Sequence, residues 1–110
     1  MRQNKVYSAL GLATRAGKTE SGEFATEKAV KSGKASLAVV AEDASENTKK
    51  MFANMCAYYK VPYIIYGTKG ELGHAIGKEY RASLAVTDAG FAKMIRQQLP
   101  SEEIGGNEEV

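Results

Sequence analysis

The sequence holds one cysteine, one histidine, two prolines and no tryptophan among its 110 residues. A lone Cys56 allows no internal disulfide, so a reducing, cytoplasmic setting is expected, and a zinc site built on several thiolates is excluded. No apolar run approaches the ~18–20 residues that span a bilayer. The longest, Ser36 to Ala41 and Val61 to Tyr66, have strand length. Val6 to Gly11 is too mixed for the apolar core of a secretory signal, so no membrane association is expected. Repeats, low-complexity stretches and internal linkers are absent too. What remains is ordinary: 44% apolar and 25% charged residues are the proportions of a soluble globular domain, not of a collagen-like or disordered chain. The length fits one domain. Residues 1–100 are read as that domain, and the acidic stretch 101–110 as a tail expected to be disordered.

The net charge of +2 conceals an asymmetry. The last ten residues carry Glu102, Glu103, Glu108 and Glu109 and no cation, which leaves fifteen basic against nine acidic residues in the rest of the chain. Residues 1–40 hold seven basic and three acidic side chains. A small domain with a basic half suits a polyanionic partner, although a modest surface excess is common.

Capping residues and apolar spacing place the elements. Asn4 caps a helix through Tyr7, Leu10 and Ala13 that stops near Gly17. A short extended piece, Lys18 to Ser21, follows. Gly22 opens a second helix reaching Gly33, with Phe24, Ala29 and Val30 as inward positions and Gly33 as its C-terminal left-handed residue. Ser36 to Ala41 is apolar on both faces, as in a central strand covered on both sides. Ser45 or Asn47 caps a long helix with an apolar stripe of Met51, Phe52, Met55, Cys56 and Tyr59. Val61 to Tyr66 reads as a strand with Pro62 at its start, where a missing N–H is tolerated. Thr68 caps a short helix, Leu84 to Val86 forms another buried strand, and Asp88 caps a last helix that Pro100 ends. Helices alternating with doubly buried strands predict an α/β protein, a three-layer α/β/α sandwich around a small mixed sheet.

Candidate catalytic groups are weak. Gly11 to Thr19 has one residue too many between its glycines for a P-loop, and it follows a helix where a P-loop follows a strand. His74 lies mid-helix with only Glu71 at helical spacing, and reads as a surface residue. Cys56 sits within an apolar stripe, whereas a nucleophilic thiol wants an electropositive, accessible place. Glu42-Asp43 after a strand reads as a polar loop ahead of a cap. No metal-ligand cluster is visible. The chain is therefore expected not to be an enzyme and to need no cofactor.

The stretch from Arg15 to Lys34 says more. Arg15 and Lys18 precede the extended piece, Gly22 and Glu23 stand at the mouth of the second helix, and Thr26, Lys28 and Lys31 follow on its first turns. A helix N-terminus offers unpaired N–H groups and a positive dipole end, and beside lysine and arginine it makes a phosphate-binding surface. Glu23 can accept from base amino groups or simply favour the dipole. Phe24 reads first as core and second as a ring aimed at a base. The loop Gly77 to Ala82 adds Lys78, Tyr80 and Arg81, and aromatic and guanidinium planes stack on unpaired bases. Its value depends on whether the fold carries it to Gly22.

Several motifs together resemble a known family. Gly33-Lys-Ala, the apolar strand and Ala41-Glu-Asp43 are similar to a segment of the L-seven-Ae and L-thirty-e ribosomal protein family. So are Val61-Pro62-Tyr63 and Thr68-Lys69-Gly70-Glu71-Leu72-Gly73 with Gly77. Leu10 to Lys18, Ser21-Gly22-Glu23 and Glu42 to Lys50 resemble its bacterial YlxQ-type branch. The resemblance runs from Asn4 to Leu99. It implies binding of kink-turn RNA, a sharply bent duplex with sheared G·A pairs beside an unpaired bulge, with ribosomal RNA among the candidate partners. It also implies that the second-helix mouth (Gly22, Glu23, Thr26, Lys28, Lys31) enters the groove while the loop with Tyr80, Arg81 and Ala82 covers the bulge. Archaeal members have Asn-Glu where this chain has Phe24-Ala25. That departure motivates an alternative, a protein-interaction module on the same fold that has lost RNA specificity. The sequence leaves the oligomeric state open.

Overall fold

Asn4, in extended backbone, accepts a hydrogen bond from the Tyr7 N–H at 2.8 Å and starts α1 (Lys5–Arg15). The computed structural model describes residues 4–99 and 104–105 of the chain. Ser45 starts α3 (Glu46–Tyr59), Thr68 starts α4 (Lys69–Ala75) through a reciprocal capping box with Glu71, and Asp88 starts α5 (Ala89–Gln97). Each cap satisfies a first-turn N–H that has no intrahelical partner. The second helix, α2 (Glu23–Lys31), differs, because its cap is Gly22 and has no side chain to offer. It closes at Gly33, whose φ is 82°.

The strands are β1 (Thr19–Ser21), β2 (Leu37–Val40), β3 (Tyr63–Ile65), β4 (Ser83–Val86) and β5 (Ile104–Gly105). They form one mixed sheet in the order β1-β4-β2-β3-β5, with β2 and β3 parallel and the other pairs antiparallel. Every residue of β2 and β4 is buried, as central strands under helices on both faces must be. Helices α2 and α3 pack together on one side, and α1 packs with α4 and α5 on the other. The sandwich predicted from the alternation is the fold. Pro62 lies just before β3 and lends only its carbonyl, which accepts the Ala38 N–H at 2.9 Å.

Three expectations change at the level of side chains. Phe24 does not face the core and is 79% exposed, whereas Thr26 has no exposed surface. Tyr59 leaves the α3 stripe at 41% exposure and stands edge-on to Tyr58, their ring centroids 4.8 Å apart. The inner face of α3 is carried by Phe52 and Cys56. Of the tail, Ile104–Gly105 pairs with β3, while 101–103, 106–110 and the helix-ending Pro100 lie outside the described residues. No helix among the described residues is long and apolar enough to cross a membrane.

The α3–β3 layer yields a pH prediction. Burial pushes the Cys56 thiol up to about 11. Burial, then the charges of Cys56 and Glu46, pushes the Tyr63 phenol up to about 12. Both groups hold their protons more tightly in the folded chain, so the unfolded chain releases them first as pH rises. The resulting stability is complete below about pH 9 and is lost between about 9 and 12. Thermal unfolding should show a level midpoint from about pH 7 to about pH 8.5 and a decline above that. A midpoint that holds to about pH 11 would contradict it.

Candidate nucleic-acid interface

The mouth of α2 and the loop before β4 meet at one end of the sheet. Strand β1 pairs antiparallel with β4, Ser21 opposite Leu84, so the end of β1 lies beside the start of β4. The Gly22 N–H donates to the Ser83 carbonyl at 3.0 Å. Arg81 clamps the same corner: its Nε donates to Ser21 Oγ at 3.0 Å, one Nη to the Tyr80 carbonyl at 2.7 Å, and its backbone N–H to the Lys69 carbonyl at 3.1 Å. Beneath them, Ser83 Oγ donates to Thr26 Oγ1 at 3.3 Å.

Two surfaces result. On one, the first-turn N–H groups of α2 have no side-chain cap, Glu23 is exposed at the first helical position, and Lys28 stands exposed without an ion pair among the described residues. Lys31, also exposed, is held by Glu27 at 2.8 Å, and that carboxylate raises its pKa, so its charge is partly spent. On the other, Tyr80 is 68% exposed and lies across the start of α4, where a Cβ on Gly70 would be 3.7 Å from its ring. The loop reaches this position by crossing α4 at Gly73, whose absent side chain leaves room for the Glu79 and Tyr80 backbone.

The residues expected at the site divide by position. Gly22, Glu23, Tyr80 and the half-buried Arg81 and Ala82 come together at this end of the sheet, whereas Lys28 lies about 9 Å and Lys31 about 13 Å along α2 from Gly22, and Lys31 is carried toward the other end of the sheet. Thr26 does not reach solvent; its hydroxyl is satisfied by Ser83, and it ties α2 to β4 from below. Lys18 is exposed but lies at the opposite end of β1, where its carbonyl accepts the Thr87 N–H at 2.9 Å, so it is about 13 Å of extended chain away from Gly22. Arg15 folds back over Gly11 beside the end of α4: a Cβ on Gly11 would be 4.0 Å from its guanidinium and 3.2 Å from the Ala75 carbonyl. The two converging segments carry Lys28, Lys31, Lys78 and Arg81 against Glu23, Glu27 and Glu79, a formal excess of one. The corner's pull on an anion therefore rests more on open N–H groups and an unpaired lysine than on net charge.

Sequence reasoning overlooked Ser21, Lys69 and Gly73 as builders of this corner. Only Gly73 carries a local signal, a glycine inside a helical segment, which marks close backbone approach. Asp43 accepts the Lys69 N–H at 2.8 Å, so the Glu42-Asp43 loop serves the start of α4. Among the described residues, no three His, Cys, Asp or Glu side chains gather as a metal-ion site.

The sequence profile of the ribosomal protein L7Ae/L30e/S12e/Gadd45 family matches residues 4–96. The chain is 46% identical over 89 residues to the RNA-binding protein YlxQ of Bacillus subtilis, covering 81% of this chain and 89% of that protein. It is 39% identical over 95 residues to the RNA-binding protein YlxQ of Enterococcus faecium, covering 86% and 91% of the two chains. Among solved structures, a Bacillus halodurans protein of unknown function superposes with a TM-score of 0.85 at 38% identity, covering 87% and 97%. The Giardia lamblia 15.5 kD RNA binding protein superposes with a TM-score of 0.73 at 19% identity, covering 89% and 91%, a likeness of fold.

Proposed function

Because the chain belongs to the ribosomal protein L7Ae/L30e/S12e/Gadd45 family, we propose that it is a non-catalytic, cytoplasmic RNA-binding protein that recognises structured, kink-turn-like RNA, ribosomal RNA included. One observation supports this most: the hydrogen bond from Gly22 to Ser83 and the Arg81 clamp hold the α2 mouth and the Tyr80 loop as one rigid corner. An RNA duplex exposes little sequence in its grooves, whereas a kinked junction presents phosphates and unstacked bases within a short span. In this reading the N–H groups of α2 and Lys28 take backbone phosphate, Glu23 accepts from base amino groups, and Tyr80 covers a displaced base.

The test is a titration of fluorescent kink-turn RNA against a straight duplex at several salt concentrations. Tighter binding of the kinked RNA is expected, with affinity falling as salt rises. Lys28→Ala should weaken binding to every RNA and lower the salt slope by about one phosphate contact. Equal, weak affinity for both RNAs would remove the structural specificity from the proposal, and an unchanged salt slope would remove Lys28.

A further inference from the structure

Phe24 takes no part in holding the fold together. It occupies the second position of α2, is 79% exposed, and faces away from the buried Thr26, Ala29 and Val30. An aromatic ring left this open forgoes most of the roughly 1.5–3 kcal/mol that its burial brings. The ring lines two shallow grooves of about 400 and 380 Å³ that both reach Lys28 one helical turn away; the first also holds the paired Glu27 and Lys31, and Glu20 and Lys34 help line the second. Lys28 has no carboxylate partner among the described residues. Phe24, the second residue of α2, stands beside the helix mouth, and with Lys28 it sets an apolar plane and a cation free of any carboxylate at helical spacing, the nearby Glu27 being taken up by Lys31. A flat aromatic ligand carrying an anion matches that chemistry, and an unpaired nucleotide is such a ligand.

We propose that Phe24 is a stacking platform for an unpaired base of the bound RNA, with Lys28 taking the phosphate of the same nucleotide. The inference rests on the RNA-binding reading above and specifies how the α2 face of that site chooses its ligand. Neither Phe24 nor Ala25 has a side-chain hydrogen-bonding group, so these two positions read no base edge. They require a base to be free to stack and are tolerant of which base it is, since every base has a π-face. Cation and ring therefore select for an unpaired nucleotide next to the duplex.

The experiment compares wild type, Phe24→Leu and Phe24→Tyr on three RNAs: a kink-turn with its unpaired nucleotides, the same RNA with the unpaired base varied, and a fully paired duplex. Thermal unfolding should be unchanged in both variants, because the ring is exposed. Phe24→Leu is expected to lose about 5- to 150-fold in affinity for the RNAs with unpaired nucleotides, with no change on the paired duplex and no change in salt slope. Phe24→Tyr should retain wild-type affinity, and varying the base should matter less than about threefold. If wild type binds the kinked RNA and Phe24→Leu binds it equally well, the stacking role is overturned and the ring is left for a protein partner. If wild type binds no RNA, both this inference and the reading beneath it fall together.

Discussion

Gly73→Ala is expected to lower the unfolding midpoint by about 5–15 °C and to weaken binding of kinked RNA by about 10- to 100-fold. The cause is a backbone crossing. A Cβ at Gly73 would lie 2.5 Å from the Glu79 carbonyl oxygen and 2.8 Å from the Tyr80 nitrogen, distances at which the loop or the helix must move. Neither yields easily. The Gly73 carbonyl itself accepts the Lys78 N–H at 2.7 Å, and Arg81 holds the far end of the loop to Lys69 and Ser21. Overpacking of this kind costs about 2–3 kcal/mol, which outweighs the helix-propensity gain of up to about 1 kcal/mol that alanine brings. Binding suffers separately, because the displaced segment carries Tyr80 and Arg81. Gly70→Ala, one turn earlier in the same helix, is the control. Its Cβ would meet two Tyr80 ring carbons and the Thr68 hydroxyl at 3.7–4.0 Å, ordinary contacts, so stability should hold or rise and RNA affinity should stay within a few fold. Calorimetry on both variants, with titrations well below either midpoint, separates the two effects. Equal melting of the two proteins would show that the crossing does not constrain the loop.

The features legible in the sequence were those set by neighbours along the chain. Asn4, Thr68 and Asp88 announced helix starts because a cap needs only its own first turn, and the same local logic left Ser45 or Asn47 as the choice for α3, with Ser45 taking the role. Strands β2 and β4 were legible as apolar runs, since burial on both faces leaves no alternation to confuse. Features depending on distant partners were not legible. Thr26 looked like a surface residue because a buried hydroxyl needs a partner, and its partner, Ser83, is 57 residues away. With Thr26, Ala29 and Val30 inward, Phe24 lies about 200° around the helix from Thr26, on the outer face. The apolar identity of Phe24 outweighed its phase. Lys18 was grouped with Gly22 by sequence proximity, but extended backbone carries neighbours apart at about 3.3 Å per residue. The two segments meet because β1 pairs with β4, which no local pattern encodes.

The junction that makes this meeting possible gives the second large effect. Gly22 has φ 97° and ψ 159°, a region that glycine alone occupies readily, with strain of about 1–3 kcal/mol for any other residue. Space is not the obstacle, since a Cβ there would meet nothing within 4 Å. Gly17 has a positive φ of 75° and equally open surroundings, but it closes α1 in a Schellman motif, with Gly17 N–H on Thr14 and Lys18 N–H on Ala13. Asparagine is accepted at such a helix end and not at the Gly22 conformation. Gly17→Asn should therefore stay within about 1 kcal/mol of wild type and keep its RNA affinity. Gly22→Asn should lose about 1–3 kcal/mol if the turn holds its shape. If the turn relaxes, the strain is relieved by rotating β1 against α2, which breaks the bond from Gly22 N–H to the Ser83 carbonyl and swings the open helix mouth away from Tyr80. Relaxation lowers affinity for kinked RNA by about tenfold or more with little loss of stability, whereas a turn that holds its shape costs stability and keeps the affinity. The pair of asparagine variants thus separates strain from alignment: a Gly22→Asn protein that melts and binds like Gly17→Asn would mean that the α2 mouth does not depend on this turn for its aim.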